Sequence, residues 1–321
     1  MQKFVLSALF SVILSATSFA QKDSLTKAEK LALDSMMKND QFLKLMNEKP
    51  KNLWEVSLGV GNGSFSSHNQ AVNATGVANQ VIFTPAVFYR FKTGFSLGVT
   101  AYVTSDSSKL EFYQTGITGA YDYVGKKVNA GISYTRFISD QNKYNSKSLY
   151  QNDLYAYIKK SSGVIEPLLA IGFSNGKYKE IDQIIFPPAS GILRKDSTEN
   201  KSSFFYTSIG IQHDFNWYKV FKSGDELDFV PAFVINAGSD KTTTVHTNKA
   251  FNNPNRPLLS RRARVADSNA FQLQSVAASF DFTYSVGKFF LQPNFYLDYY
   301  LPSTTAKRFS AVYTLTAGFS F

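Results

Sequence analysis

The chain has 321 residues, no cysteine, 34 lysines and arginines against 24 acids, and a mean hydropathy of −0.17. Disulfides and thiolate metal sites are excluded, and no stretch approaches the roughly 20 consecutive apolar residues of a membrane-spanning helix. Yet 29 Phe and 18 Tyr are present, and aromatic wealth without apolar runs fits strands that show lipid only at every second residue.

Lys3, the apolar run Phe4 to Leu14 and the small-residue site Ser18-Phe19-Ala20 predict a signal peptide over 1–20, with the mature chain starting at Gln21. Gln rather than Cys at 21 excludes lipid attachment there. Over 21–52, Leu25, Ala28, Ala32 and Met36 fall at helical spacing, followed by Phe42, Leu45 and Met46 after a break at Asn39-Asp40. This pattern predicts two short amphipathic helices, a periplasmic leader. Its apolar residues Leu25, Ala32, Met36, Phe42, Leu45 and Met46 would either dock a periplasmic or membrane protein partner or fold back into a lumen.

From Leu53 onward the period changes to two. Strands are predicted near 53–61, 80–91, 95–104, 109–123, 128–138, 148–160, 164–174, 202–215, 227–237, 269–285, 289–301 and 307–321. Apolar sets such as Phe95, Leu97 and Val99, or Leu169, Ile171 and Phe173, fall on one face, with smaller or polar residues on the other. Short turns at Lys92-Thr93-Gly94, Gly125-Lys126-Lys127, Ser161-Ser162-Gly163, Lys222 to Glu226 and Val286-Gly287-Lys288 follow every second strand. The links between them are mostly long, above all 175–201 and 238–268. Such segregation predicts an all-β fold, a twelve-stranded antiparallel transmembrane barrel over 53–321 with both ends in the periplasm. Pro85, Pro167, Pro231 and Pro293 lie inside strands, where bulges or kinks are expected.

The last run places Tyr313, Leu315, Ala317, Phe319 and Phe321 on one face, with Gly318 before the final aromatics. It resembles the C-terminal signal that the barrel-assembly machinery reads in bacterial outer-membrane β-barrel proteins. The resemblance implies that machinery as a partner in biogenesis, outer-membrane lipid and lipopolysaccharide as surroundings, and integral outer-membrane localisation in a Gram-negative envelope. Export makes nucleic acid an unsuitable partner for the net charge of +10.

Alternation assigns charges to a lumen: Arg90, Asp122, Asp153, Lys159, Glu166, Asp228, Asp281, Asp298 and Arg308. They either line a cation-favouring pore or simply pair in a polar interior. Tyr155, Tyr157, Tyr206, Tyr296 and Tyr300 point the same way and either stack on sugars or fill space. Small residues, among them Gly98, Ser133, Ala170, Ser208, Gly210, Ser279 and Gly318, are expected to leave room. Lys241, Arg256, Arg261, Arg262 and Arg264 concentrate positive charge in the longest link, a candidate lipopolysaccharide-facing loop.

Phe173-Ser174-Asn175-Gly176 resembles part of the His-x-Ser-Asn-Gly motif of outer-membrane phospholipase A, itself a twelve-stranded barrel. Gly172 stands where that family has its catalytic His, so Ser174 lacks a local base. No His pair has metal-ligand spacing, and no cofactor is expected. The sequence therefore predicts a non-enzymatic outer-membrane barrel, working as a narrow or gated, porin-like pore or as a partner-binding component of an envelope complex. The alternative is a lipid-modifying enzyme.

Overall fold

The computed structural model describes residues 51–62, 81–106, 109–139, 150–161, 163, 165–185, 193–253, 256–268, 270–302 and 308–321. The expected signal peptide and the leader with Leu25, Ala32, Met36, Phe42, Leu45 and Met46 lie outside the described residues. Fourteen strand segments follow in order: β1 (Leu53–Gly61), β2 (Ile82–Arg90), β3 (Phe95–Asp106), β4 (Lys109–Val124), β5 (Val128–Ser139), β6 (Asn152–Lys160) and β7 (Glu166–Ile185). Then come β8 (Leu193–Gln212), β9 (Phe215–Tyr218), β10 (Asp225–Asn253), β11 (Arg256–Ser268), β12 (Gln272–Val286), β13 (Phe289–Tyr300) and β14 (Phe309–Ser320).

β1 to β8 and β12 to β14 pair antiparallel with their neighbours in sequence, β1 pairs with β14, and β10 pairs with β12 and, across the interruption left by β9, with β8. β9 continues β8 in the same register along β10, and β11 precedes β12 along the other edge of β10. The result is a closed antiparallel barrel of 12 strands. Below the rim each wall strand has a neighbour on both sides, as a strand structure in lipid requires.

The pleat sorts the side chains. In β5, Ile132 and Tyr134 are exposed while Ser133 and Thr135 between them are buried. Leu97 and Val99, Leu169 and Ile171, and Ile209 and Ile211 repeat the outward apolar pattern. An apolar surface of this extent is stable against lipid and not against water. Aromatic residues rim it at both levels. At the short-turn end Trp54 packs on Tyr89 at 4.8 Å, Phe215 stacks on Trp217 at 5.7 Å, and Phe229 stacks on Phe282 at 4.3 Å. Phe112, Tyr134, Phe173, Phe205, Phe271 and Tyr299 are exposed toward the other end.

Two expectations change. The register runs unbroken past all four strand prolines; what each produces is a local gap or end in one ladder. Pro85 and Pro293 sit beside unpaired steps in the β2–β3 and β12–β13 ladders, and Pro167 lies just past the last β6–β7 pair. Opposite Pro231 the eighth strand itself breaks at His213 and Asp214, because proline has no N–H to give. The register shifts in the barrel lie elsewhere, at Tyr102/Val103 against β4 and at Asn236/Ala237 against β12.

The second change concerns the longest links. Residues 175–185 and 193–201 are strand, paired with each other, and β10 runs on to Asn253 between β8 and β11. Four strands thus rise beyond Asn175, the last residue of β7 paired to β6. Ten further residues of β7 carry the sheet about 30 Å along the strand past that rim.

Short turns occupy the opposite end, where Gly94 (φ 92°) and Gly287 (φ 60°) take left-handed conformations. In the turn before β10, the Asp225 carboxylate accepts the N–H groups of Val220, Phe221 and Lys222 at 2.8, 2.9 and 2.8 Å and the Tyr284 hydroxyl at 3.0 Å. Burial opposes the charge, but these four donors outweigh it and hold the carboxyl below its ordinary value. Its stabilisation is therefore full at neutral pH and is lost as pH falls through that lowered value. Asp225→Ala is expected to lower the urea midpoint of the refolded barrel at neutral pH and to match the wild type in strong acid. A pH-independent difference would reject this account.

Candidate functional site

The lumen has two unlike halves. Along β1 to β5 and β12 to β14 its wall is mostly hydroxyl and amide: Thr84, Thr100, Thr118, Thr135, Thr283, Gln292, Asn294, Thr314 and Thr316 border a cavity of about 410 Å³. At its short-turn end, by Leu53, Gly287 and Ser320, Arg90 Nε donates to Glu55 Oε2 at 3.0 Å. Toward the other end the cavity stops at Tyr102 and Phe137, which pack with buried Ile82 and Tyr113. The β-bulge beside Tyr102 makes this possible, since it leaves Tyr113 unpaired in the ladder, and the ring is buried against Tyr102, 6.2 Å between centroids.

The other half is filled. Tyr157 donates to Asp122 Oδ1 at 2.9 Å, Ser174 Oγ to Asp153 Oδ1 at 2.6 Å, and Lys159 Nζ reaches Asp214 Oδ2 at 3.3 Å. Asn236 receives Ser208 Oγ at 2.7 Å and donates to Ser275 Oγ at 3.0 Å and the Tyr296 hydroxyl at 3.2 Å. Such a network fixes side chains in place more than it leaves water-filled passage.

Filling follows a simple rule: a lumen aromatic stands directly opposite a glycine or another small residue. Phe88 faces Gly98, Tyr157 faces Gly131, Tyr206 faces Gly172 and Phe290 faces Gly318. A Cβ built on any of these four glycines would collide with the facing ring. Tyr155 faces Ser133, Tyr157 also faces Ala170, and Tyr296 faces Ser279. Of the small residues expected to leave space, Gly98, Ser133, Ala170, Ser279 and Gly318 are thus sockets for rings, a correction to the sequence reading, while Ser208 faces Asn236 and Gly210 faces Val234.

Among the charges assigned to the lumen, Asp153, Glu166 and Asp298 are buried, and Arg90, Asp122, Lys159, Asp228 and Asp281 are half-buried. Arg308 is exposed at the loop end of β14, where its carbonyl accepts the Tyr300 N–H at 2.7 Å. The structure brings Lys159, Glu166 and Asp214 together through Gln212, whose Nε2 lies 2.8 Å from Asp214 Oδ1 and 3.5 Å from Glu166 Oε2. Sequence reasoning missed Glu55, although its parity in the first strand matches the lumen and Arg90 lies on the adjacent strand.

Tyr313, Leu315, Phe319 and Phe321 are exposed on the outward face, whereas Gly318 is buried under Phe290. Phe321 exchanges both backbone hydrogen bonds with Trp54, at 2.8 and 2.9 Å. Lys241 and Arg264 are exposed on strand, not loop; Arg262 is paired opposite Thr247, Arg261 opposite Asn248 and Arg256 opposite Asn253 at the hairpin tip.

Ser174 is fully buried with a carboxylate as its partner, and Gly172 admits the Tyr206 ring. Of the two histidines among the described residues, His246 Nδ1 lies 3.1 Å from Thr198 Oγ1 and His213 meets the edge of Phe215 at 4.4 Å. No group of three or more metal-ligating side chains occurs among the described residues.

The fold resembles those of bacterial outer-membrane barrels. CdiB from Acinetobacter baumannii aligns at 8% identity and a TM-score of 0.32 over 84% of this chain and 60% of its own. The siderophore receptor PiuA from the same organism aligns at 11% and 0.31, over 84% and 46%. The CymD monoaromatic hydrocarbon channel aligns at 10% and 0.30, over 89% and 91%. This chain thus spans less than two thirds of the first two. No family model and no curated protein matches the sequence.

Proposed function

We propose that this protein is a narrow, gated, non-enzymatic pore for small polar solutes in the bacterial outer membrane, its short turns in the periplasm. The cavity of about 410 Å³ carries the reading: it is walled by neutral hydroxyls and amides, reaches the short-turn end, and is stopped at the far end by an apolar cluster. Apolar constrictions of this kind gate by excluding water. A non-enzymatic role is supported by the surroundings of Ser174, which is fully buried, donates to the Asp153 carboxylate and has the Tyr206 ring against Gly172, where the phospholipase motif has its histidine. The segment 21–52 enters the proposal on its sequence pattern alone, as a periplasmic arm that docks another envelope protein.

In planar bilayers the wild type is expected to show small currents, cation-selective because acids outnumber bases in the lumen as a whole, the cavity itself being bordered by the paired Glu55 and Arg90. Tyr102→Ala with Tyr113→Ala removes the stop and is expected to raise conductance at least several-fold while the barrel still migrates as a folded species. Unchanged conductance in the double variant would reject the gate, and large anion-selective currents would reject the pore.

A further inference from the structure

Charge on the rising sheet separates by face. Odd positions of β7, β8 and β10 and even positions of β11 continue the face that shows Phe173, Phe205 and Ile235 outward lower down. On this outer face Lys177, Lys201, Lys241 and Arg264 are exposed. The register adds Lys179 opposite Glu199, Lys195 opposite Lys249, and Arg262 opposite Thr247, all positions of the same parity. Glu199 is the single acid among these eight cations, and Lys177 Nζ and Lys201 Nζ each approach it to 3.4 Å. Register positions of the opposite parity carry Glu180, Asp182, Asp196, Asp240 and Asp267 against Arg194 and Arg261.

Folding alone does not favour this arrangement. Lys177 lies directly across from Lys201, and Lys195 directly across from Lys249, and like charges in facing positions destabilise a ladder. One glutamate compensates one of these pairs. Lys241 and Arg264 stand exposed on the same face, a surface that an external anion would stabilise.

Position identifies those anions. Lys177 and Lys201 stand four residues beyond Phe173 and Phe205, about 14 Å along the strand and roughly 10 Å along the membrane normal at a typical barrel tilt. That is headgroup depth, just past an aromatic rim. Because the cationic face runs straight into the lipid-facing surface, its occupant has acyl chains below and phosphates above. The guanidinium fork of exposed Arg264 matches phosphate oxygens.

We propose that this face is a binding platform for the phosphate groups of a phosphorylated glycolipid of the lipid A type in the outer leaflet. The full-length protein, refolded in dodecyl maltoside micelles, is titrated with bisphosphorylated lipid A and bound lipid is counted by native mass spectrometry. The variant K177Q/K201Q/K241Q/R264Q is expected to bind at least tenfold more weakly. K126Q/K127Q/K160Q/K222Q, which removes four exposed lysines at the short turns, is expected to bind as the wild type does. Monophosphorylated lipid A is expected to bind less tightly than the bisphosphorylated form. Heat-modifiable migration confirms that both variants are folded. Unchanged binding in the first variant, equal loss in both, or displacement of lipid A by an equal concentration of inorganic phosphate would each overturn the proposal.

Discussion

Deleting Phe319, Ser320 and Phe321 is expected to leave almost no folded barrel in the outer membrane while export continues as before. The deletion removes the Val56–Phe319 and Glu55–Ser320 pairs and the Trp54–Phe321 doublet, and it shortens β14 against Phe289. Backbone groups of β1 are then stranded next to lipid, each at a cost of several kcal/mol. Phe321→Ser keeps the backbone pairing and loses only the outward ring. It is expected to act in the same direction and less strongly, so the two variants separate closure of the seam from reading of the terminal aromatic. Heat-modifiable migration of the membrane fraction measures both, and a normal folded yield for the deletion would contradict the account.

The second large effect is expected at the ring sockets. Gly172→Val drives a side chain into the Tyr206 ring, which is 1% exposed and has nowhere to move. A strand ordinarily gains roughly 0.5–1 kcal/mol when glycine is replaced, whereas forced overpacking costs about 3 kcal/mol. A net loss in urea unfolding is therefore expected for Gly172→Val, and a smaller one for Gly98→Val, because Phe88 borders the cavity and has room to shift. Tyr206→Ala should restore much of the stability of Gly172→Val, a coupling that a double-mutant cycle resolves. Strict additivity of the two substitutions would refute the socket.

These sockets also show where the sequence stopped being informative. Lipid imposes a strict alternation on the barrel wall, so runs such as Phe95 to Val103 and Phe205 to Ile211 announced both their strands and their outward faces. Beyond the lipid that constraint ends. β11 and the upper part of β10 have polar residues on both faces, and without hydrophobic contrast the stretch 238–268 read as a loop, despite the β-branched run Thr242-Thr243-Thr244-Val245. Single-residue properties made Gly98 and Gly318 look like free space; their aromatic partners lie across a strand register that one sequence does not display. The Tyr113 bulge was invisible for a related reason, since a one-residue shift depends on two strands at once.

β10 is a single strand of 29 residues, hydrogen-bonded to β8 from beside Pro231 up to Phe251. Mechanically it is a stiff lever with one arm inside the membrane, next to Asn236 and the side chains it holds, and the other outside. A tug on the outer arm is carried as shear along one continuous ladder to that interior network. The wall around the Thr-rich cavity has no comparable handle among the described residues. Load from outside therefore reaches the filled half of the barrel directly and the cavity wall through β12 alone, the strand that pairs with β10 on its other edge.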